Sequence, residues 1–180
     1  MMAGNQEDAQ KMLDRWVKTQ PESVRSAAMT VKEILDEIRL AHHNIAERGP
    51  RAAGDDDQEY KLLYDACVVG ANALMHAYGY RASGMGGHKA AVTAAVGVLR
   101  SLSDENAARE VQSVSSVLAV KRHEAAYERL NAVDQEDLAF ARTLAASVVP
   151  VLCNRAAERL GIDLGIEGIT FAGIAPDEIA

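Results

Sequence analysis

The chain has 180 residues, of which 48% are apolar, 25% charged and only 4% aromatic. That length suits one domain, with or without appendages, and is ample for a sizeable core. Nineteen basic against 26 acidic residues give a formal charge of -7, which argues against general DNA binding through a broad electropositive surface.

So few aromatics also argue against an extended platform for stacking single-stranded bases. Ala makes up about a sixth of the chain, well above ordinary usage. High Ala with low aromatic content points to an all-α protein with close, small-residue packing. The two cysteines, Cys67 and Cys153, sit in apolar helical runs and read as buried reduced thiols. The N-terminal residues have neither a basic region nor an apolar run of signal-peptide type. The apolar stretches elsewhere are broken by charge well short of a membrane span. A cytoplasmic protein with no membrane partner is expected.

In chain order, a first helix is expected from about Gln6 to Lys18. Pro21 suits the first turn of a second helix, with Val24, Ala28, Val31, Leu35, Ile38 and Ile45 at helical spacing. Gly49-Pro50 reads as its stop, with Gly as a left-handed cap and Pro unable to continue the ladder. The acidic run Asp55-Asp56-Asp57 lies where a helix start favours negative charge.

The third helix, about Gln58 to Tyr78, carries apolar residues on a wide face and should be central. A Gly-rich connection, Gly79 to Lys89, leads to a fourth helix from about His88 to Leu102. Ser103-Asp104-Glu105 starts a fifth, expected to reach Glu128 or Arg129. Asp134 caps a sixth, which runs to Leu160 with Gly161 beyond it and Pro150 inside it. Residues 162–180 form an apolar tail that either packs on the bundle or binds a partner.

Candidate chemistry is sparse. No Glu has a His three residues after it, so the di-iron pattern of helical bundles is missing. His43 and Glu47 lie four apart, which supports a pair but not a filled site, so no metal and no cofactor is expected. Gly84-Met85-Gly86-Gly87-His88-Lys89 departs from a phosphate-binding P-loop, because His88 intervenes and Ala90 follows Lys89. Its amides, with Arg81, His88 and Lys89, leave a site for one anion.

The densest basic cluster is Lys121-Arg122-His123, followed by Glu124-Ala125-Ala126-Tyr127. Arg122 shares a helical line with Val111, Leu118 and Ala125, so its stem is expected along an apolar stripe. Arg122 and Tyr127 are five apart, about 140° around a regular helix. They converge on one ligand only if the helix frays or a second subunit supplies the partner.

The chain resembles the HEPN superfamily, especially its short bacterial toxin–antitoxin and phage-defence members. Three segments carry the likeness: Leu62 to Asn72-Ala73-Leu74, Gly79-Tyr80-Arg81 with Gly87-His88-Lys89, and Lys121 to Tyr127 followed by Asp137-Leu138-Ala139-Phe140-Ala141. The resemblance implies a HEPN-like up-and-down bundle of about six helices, in which residues 1–20 form an N-terminal helix, 21–161 the bundle and 162–180 the tail.

Active members of that superfamily are metal-independent endoribonucleases that pair their Arg-to-His motifs across a homodimer. The resemblance therefore implies a site at Arg122, His123 and Tyr127, with Arg81, His88, Lys89 and Lys121 as RNA- or anion-binding residues. Tyr127 stands where the family places its His, and a phenol with a pKa of about 10 is not a general base near neutral pH. Arg81 and His88 also fit an Arg, six residues, His spacing. An RNA-binding or RNA-cleaving protein is one expected function. A non-catalytic dimerisation module whose tail binds an antitoxin or another protein is the other, and a nucleotide sensor rests on the Arg81–Lys89 loop alone.

Overall fold

The structure, a computed structural model, describes residues 2–52, 54–83, 86–124, 132–172 and 174, with side chains from residue 5 onward. It is predominantly helical, as expected, with one small two-stranded sheet that the sequence did not suggest. Two long helices form its centre. α4 (Asp56–Ala77) and α8 (Gln135–Leu160) are apolar around much of their circumference, which is the mark of a helix packed on several sides. Gly70 brings them together: a Cβ there would lie 3.3 Å from Leu152 Cβ and 3.8 Å from Cys153 Sγ. Cys67 and Cys153 are both buried free thiols, as expected. Burial pushes the Cys67 thiol up to about 12 and Cys153 higher still, so both stay protonated and unreactive.

The caps read from the sequence are present. Asp55 accepts from the Gln58 amide at the start of α4. Asp134 and Asp137 form a capping box at the start of α8, and Gly161 ends that helix at φ 69. Asp104 caps α6 (Glu105–Ser113) by accepting from the Ala107 amide.

α1 (Met2–Thr19) buries Ala9 and Leu13 and lays Met12 against Gly97 of α5 (Gly87–Ser101). The segment after it departs from expectation. Pro21 opens no helix; Val24–Ser26 is strand β1, paired antiparallel with β2 (Tyr80–Ala82). Val24, fully buried, faces inward in the ribbon, while Ala28 of the expected helical stripe is exposed. The helix α2 (Val31–His43) starts later, where Thr30 and Glu33 form a reciprocal capping box that satisfies two amides at once. That is a stronger start than Pro21 offers.

Gly49-Pro50 is not a stop either. A π-turn over Asn44–Arg48 leads into the short α3 (Gly49–Arg51), and Gly49 has a right-handed φ of -57. Its amide reaches the Asn44 carbonyl, five residues back. The widened turn makes room for the Pro50 ring, which would otherwise crowd a preceding carbonyl.

A second π-turn, Val114–Leu118, joins α6 to α7 (Ala119–His123). Ser113 donates to the Arg109 carbonyl, and Ser115 and Ser116 both donate to the Gln112 carbonyl. Such back-bonding competes with the helical ladder and bends it. The expected single helix to Glu128 or Arg129 is thus interrupted, and its part beyond Glu124 lies outside the described residues.

The described part of the tail packs on the bundle. Leu164 and Ile169 are buried, and Phe171 meets the His42 ring edge-on at 5.3 Å. His42 donates to the Thr170 carbonyl at 2.9 Å, and Arg39 pairs with Glu167 at 2.9 Å. Among the described residues no helix is long and apolar enough to cross a membrane.

Candidate functional site

The site is organised around Tyr64, on the third turn of α4. Its phenol is 95% enclosed, being only 5% exposed. From α7, the Arg122 guanidinium carbon stands 5.7 Å from the centre of the Tyr64 ring, within cation–π range. From the first turn of α5, His88 Nδ1 lies 3.4 Å from the Tyr64 hydroxyl, with the two rings 5.9 Å apart and inclined at 47°. Arg122 and His88 therefore reach the same aromatic residue from two different helices.

The sequence positions each of the three. Tyr64 follows Tyr60 by one helical turn, and both are buried. Arg122 follows the fully buried Leu118 by four residues, after the π-turn, so its stem takes the inward face as the apolar stripe implied. His88 is exposed beside the left-handed Gly86 (φ 88) that turns the chain into α5.

Burial pushes the Tyr64 phenol up, and the Arg122 charge works in the opposite direction. The net rise keeps the phenol protonated at neutral pH, so its hydroxyl can orient one tautomer of the His88 imidazole. The outcome is an exposed imidazole held in place beside a partly buried guanidinium.

The other expected residues are spread out. Lys121 is turned away to α8, 2.8 Å from Asp137 and 3.7 Å from Glu124. Its hydrogen bond to Asp137 raises the ammonium above its ordinary value despite some burial. His123 and Lys89 are exposed. Arg81 stands on the outer face of the ribbon, opposite Arg25. Among the described residues, no hydrogen bond, ion pair or ring contact joins Arg81 to Tyr64, His88 or Arg122. Tyr127 lies outside the described residues.

Sequence reasoning passed over three residues. Tyr64 enters the sequence reading only within the apolar helix and its Leu62–Leu74 segment; its spacing from Tyr60 marks a shared face but not its partners. Arg25 was placed on a helix that does not form. Glu59, 1% exposed, takes a bidentate hold on Arg142 of α8 at 2.7 and 3.0 Å, and nothing local in the sequence announces that pair. His43 and Glu47 approach to 3.4 Å. Among the described residues no group of three or more His, Cys, Asp or Glu side chains converges on a metal-sized site. Comparison with protein-family models, curated proteins and solved structures finds no match for this chain.

Proposed function

We propose that this protein is a HEPN-like, metal-independent RNA-cleaving protein of toxin or defence type, acting at the Arg122–Tyr64–His88 cluster as a homodimer. The observation that supports this reading is the meeting of Arg122 and His88 on Tyr64. The cluster carries the two groups such a reaction needs. Arg122 balances the charge that builds on the pentavalent phosphate. His88 takes the proton from a ribose 2′-hydroxyl. The 2′-oxygen bonds to phosphorus, the bond to the 5′-oxygen breaks, and water protonates that departing oxygen. The products are a 2′,3′-cyclic phosphate and a 5′-hydroxyl end. This assigns the base role to His88, so Tyr127 need not supply it.

The test is cleavage of a single-stranded RNA by the full chain in EDTA, with end-group identification. Wild type should leave cyclic phosphate ends, while Arg122→Ala and His88→Ala should each lower the rate at least a hundredfold. Intact RNA at high protein concentration, or full activity in His88→Ala, overturns it.

A second reading, the non-catalytic interaction module, draws on Ile166, which is 84% exposed at the tip of the packed tail. Deleting 162–180 would strip Leu164 and Ile169 from the core, so Ile166→Ser is the cleaner substitution. Loss of a bound partner in Ile166→Ser, with RNA left uncut by wild type, favours the module.

A further inference from the structure

The ribbon pairs two like charges. Register sets Arg25 directly across from Arg81, between the pairs Val24↔Ala82 and Ser26↔Tyr80. The amides of Ala27 and Ser83 donate across the ribbon to the carbonyls of Gly79 and Ser23. By the two-residue alternation of an antiparallel ladder, Arg25 and Arg81 are then a hydrogen-bonded pair, with Cα atoms about 5.5 Å apart. Both side chains are on the outer face and exposed.

That register cannot slip to relieve them. The inner face holds Val24, fully buried, and Tyr80, 5% exposed. The Tyr80 hydroxyl donates to Asp14 and accepts from Gln10 at 2.8 Å. A one-residue slip of β2 would turn Tyr80 outward and Arg81 into the core, and a slip of β1 would do the same to Val24 and Arg25.

Like charges directly opposite destabilise a sheet, and a chain with 26 acidic residues has carboxylates to spare. Arg39, Arg51, Arg100, Arg142 and Arg155 each pair with one. Among the described residues neither Arg25 nor Arg81 has an ion pair or a side-chain hydrogen bond. Two guanidinium forks on a fixed ribbon, facing the same way and without an internal anion, match a tetrahedral oxyanion.

We propose that Arg25 and Arg81 form a phosphate clamp, a second contact for one backbone phosphate of an RNA strand, separate from the Arg122–Tyr64–His88 cluster. The identity of the ligand as RNA rests on the functional reading above; the oxyanion chemistry rests on the ribbon alone.

The test has two arms, both on the full chain. In the first, the affinity for a single-stranded RNA is measured across a KCl series. The double variant Arg25→Gln/Arg81→Gln should bind about tenfold more weakly at low salt. It should also lower the slope of log affinity against log salt by about 0.7, the value for one single-strand phosphate. Unchanged affinity and slope overturn the clamp.

In the second arm, inorganic phosphate is titrated while the arginine Nε–H resonances are followed by NMR. Arg25 and Arg81 should shift together and saturate. If wild type fails to bind RNA but these resonances shift with phosphate, the clamp stands and the RNA reading falls. If neither shifts, or if a poly-glutamate peptide shifts them where phosphate does not, the clamp is overturned. A melting curve guards the double variant: removing the two facing cations should leave the low-salt melting temperature equal or higher, so lost binding is not lost fold.

Discussion

Arg122 holds its guanidinium 5.7 Å from the centre of the Tyr64 ring, while the hydroxyl of that same ring lies 3.4 Å from His88 Nδ1. The two ends of one phenol thus serve two different groups, and substitution separates them. Tyr64→Phe keeps the ring under Arg122 and removes only the contact to His88. RNA affinity should stay within about twofold, while single-turnover cleavage should fall about tenfold through a less ordered imidazole. Tyr64→Leu also removes the cation–π contact, worth about 0.5–1 kcal/mol or more when desolvated, and should weaken affinity as well. Equal cleavage by Tyr64→Phe and wild type would show that His88 is not oriented by the hydroxyl.

The Glu59–Arg142 pair ties α4 to α8 below that site. Glu59 is 1% exposed, so removing its partner leaves a carboxylate without its counter-ion inside the protein. Breaking a buried pair in this way costs about 3–5 kcal/mol. Arg142 keeps 20% of its side chain in water, which places Arg142→Met at the lower end, about 3 kcal/mol by urea unfolding. The double variant Arg142→Met/Glu59→Leu should recover most of that loss, because no charge is then left buried. A single variant as stable as wild type would mean that water already reaches Glu59.

The long helices were legible because their signals are local and repeated. The apolar positions of α4 and α8 recur over many turns, and Asp55, Asp134 and Gly161 mark their ends within a few residues. The ribbon was not legible. Three residues carry no useful period, and Val24 fits a helical stripe as well as a strand until Ala82, far along the chain, pairs with it.

The π-turns depend on particular side chains, the Pro50 ring and the hydroxyls of Ser113, Ser115 and Ser116, which override a good helical pattern. The site was half legible. Arg122 and His88 stood out by residue type. Their meeting place did not, since Tyr64 is 24 residues from His88 and farther still from Arg122.

Glycine positions give a test of packing with opposite outcomes. At Gly70 an added methyl would press on Leu152 Cβ at 3.3 Å, an atom fixed to the backbone of α8. Gly70→Ala should therefore destabilise by about 1–3 kcal/mol, as overpacking does, despite its gain in helix propensity. At Gly97 the methyl would meet Met12 Cε at 2.9 Å, the far end of a flexible side chain that can swing aside. There the propensity gain of about 1 kcal/mol over Gly should leave Gly97→Ala as stable as wild type or more so. Thermal or urea unfolding of the two variants reads the contrast directly. A stabilised Gly70→Ala would show that α4 and α8 are less closely packed than their backbones imply.

Acid should loosen the turn that carries Arg122. Lys121, the residue before it, is anchored to Asp137 at 2.8 Å. Burial works to raise the Asp137 carboxyl, but the Lys121 ammonium and the Asp134 amide together hold it below its ordinary value. A carboxyl depressed in the folded state stabilises above its ordinary pKa, and that contribution is lost as pH falls through the depressed one. The Lys121 ammonium is shifted upward, so its share persists through neutral pH and is lost only above its own raised value. The pair is partly exposed, with side chains 25% and 31% accessible, which limits it to roughly 0.5–1 kcal/mol after solvent screening. Wild type should exceed Lys121→Met by about that amount at pH 7, less in high salt, and the difference should vanish well below pH 4. Urea unfolding of both proteins between pH 3 and pH 7 measures it. A difference that persists at pH 3 would assign the effect of Lys121 to the packing of its stem rather than to Asp137.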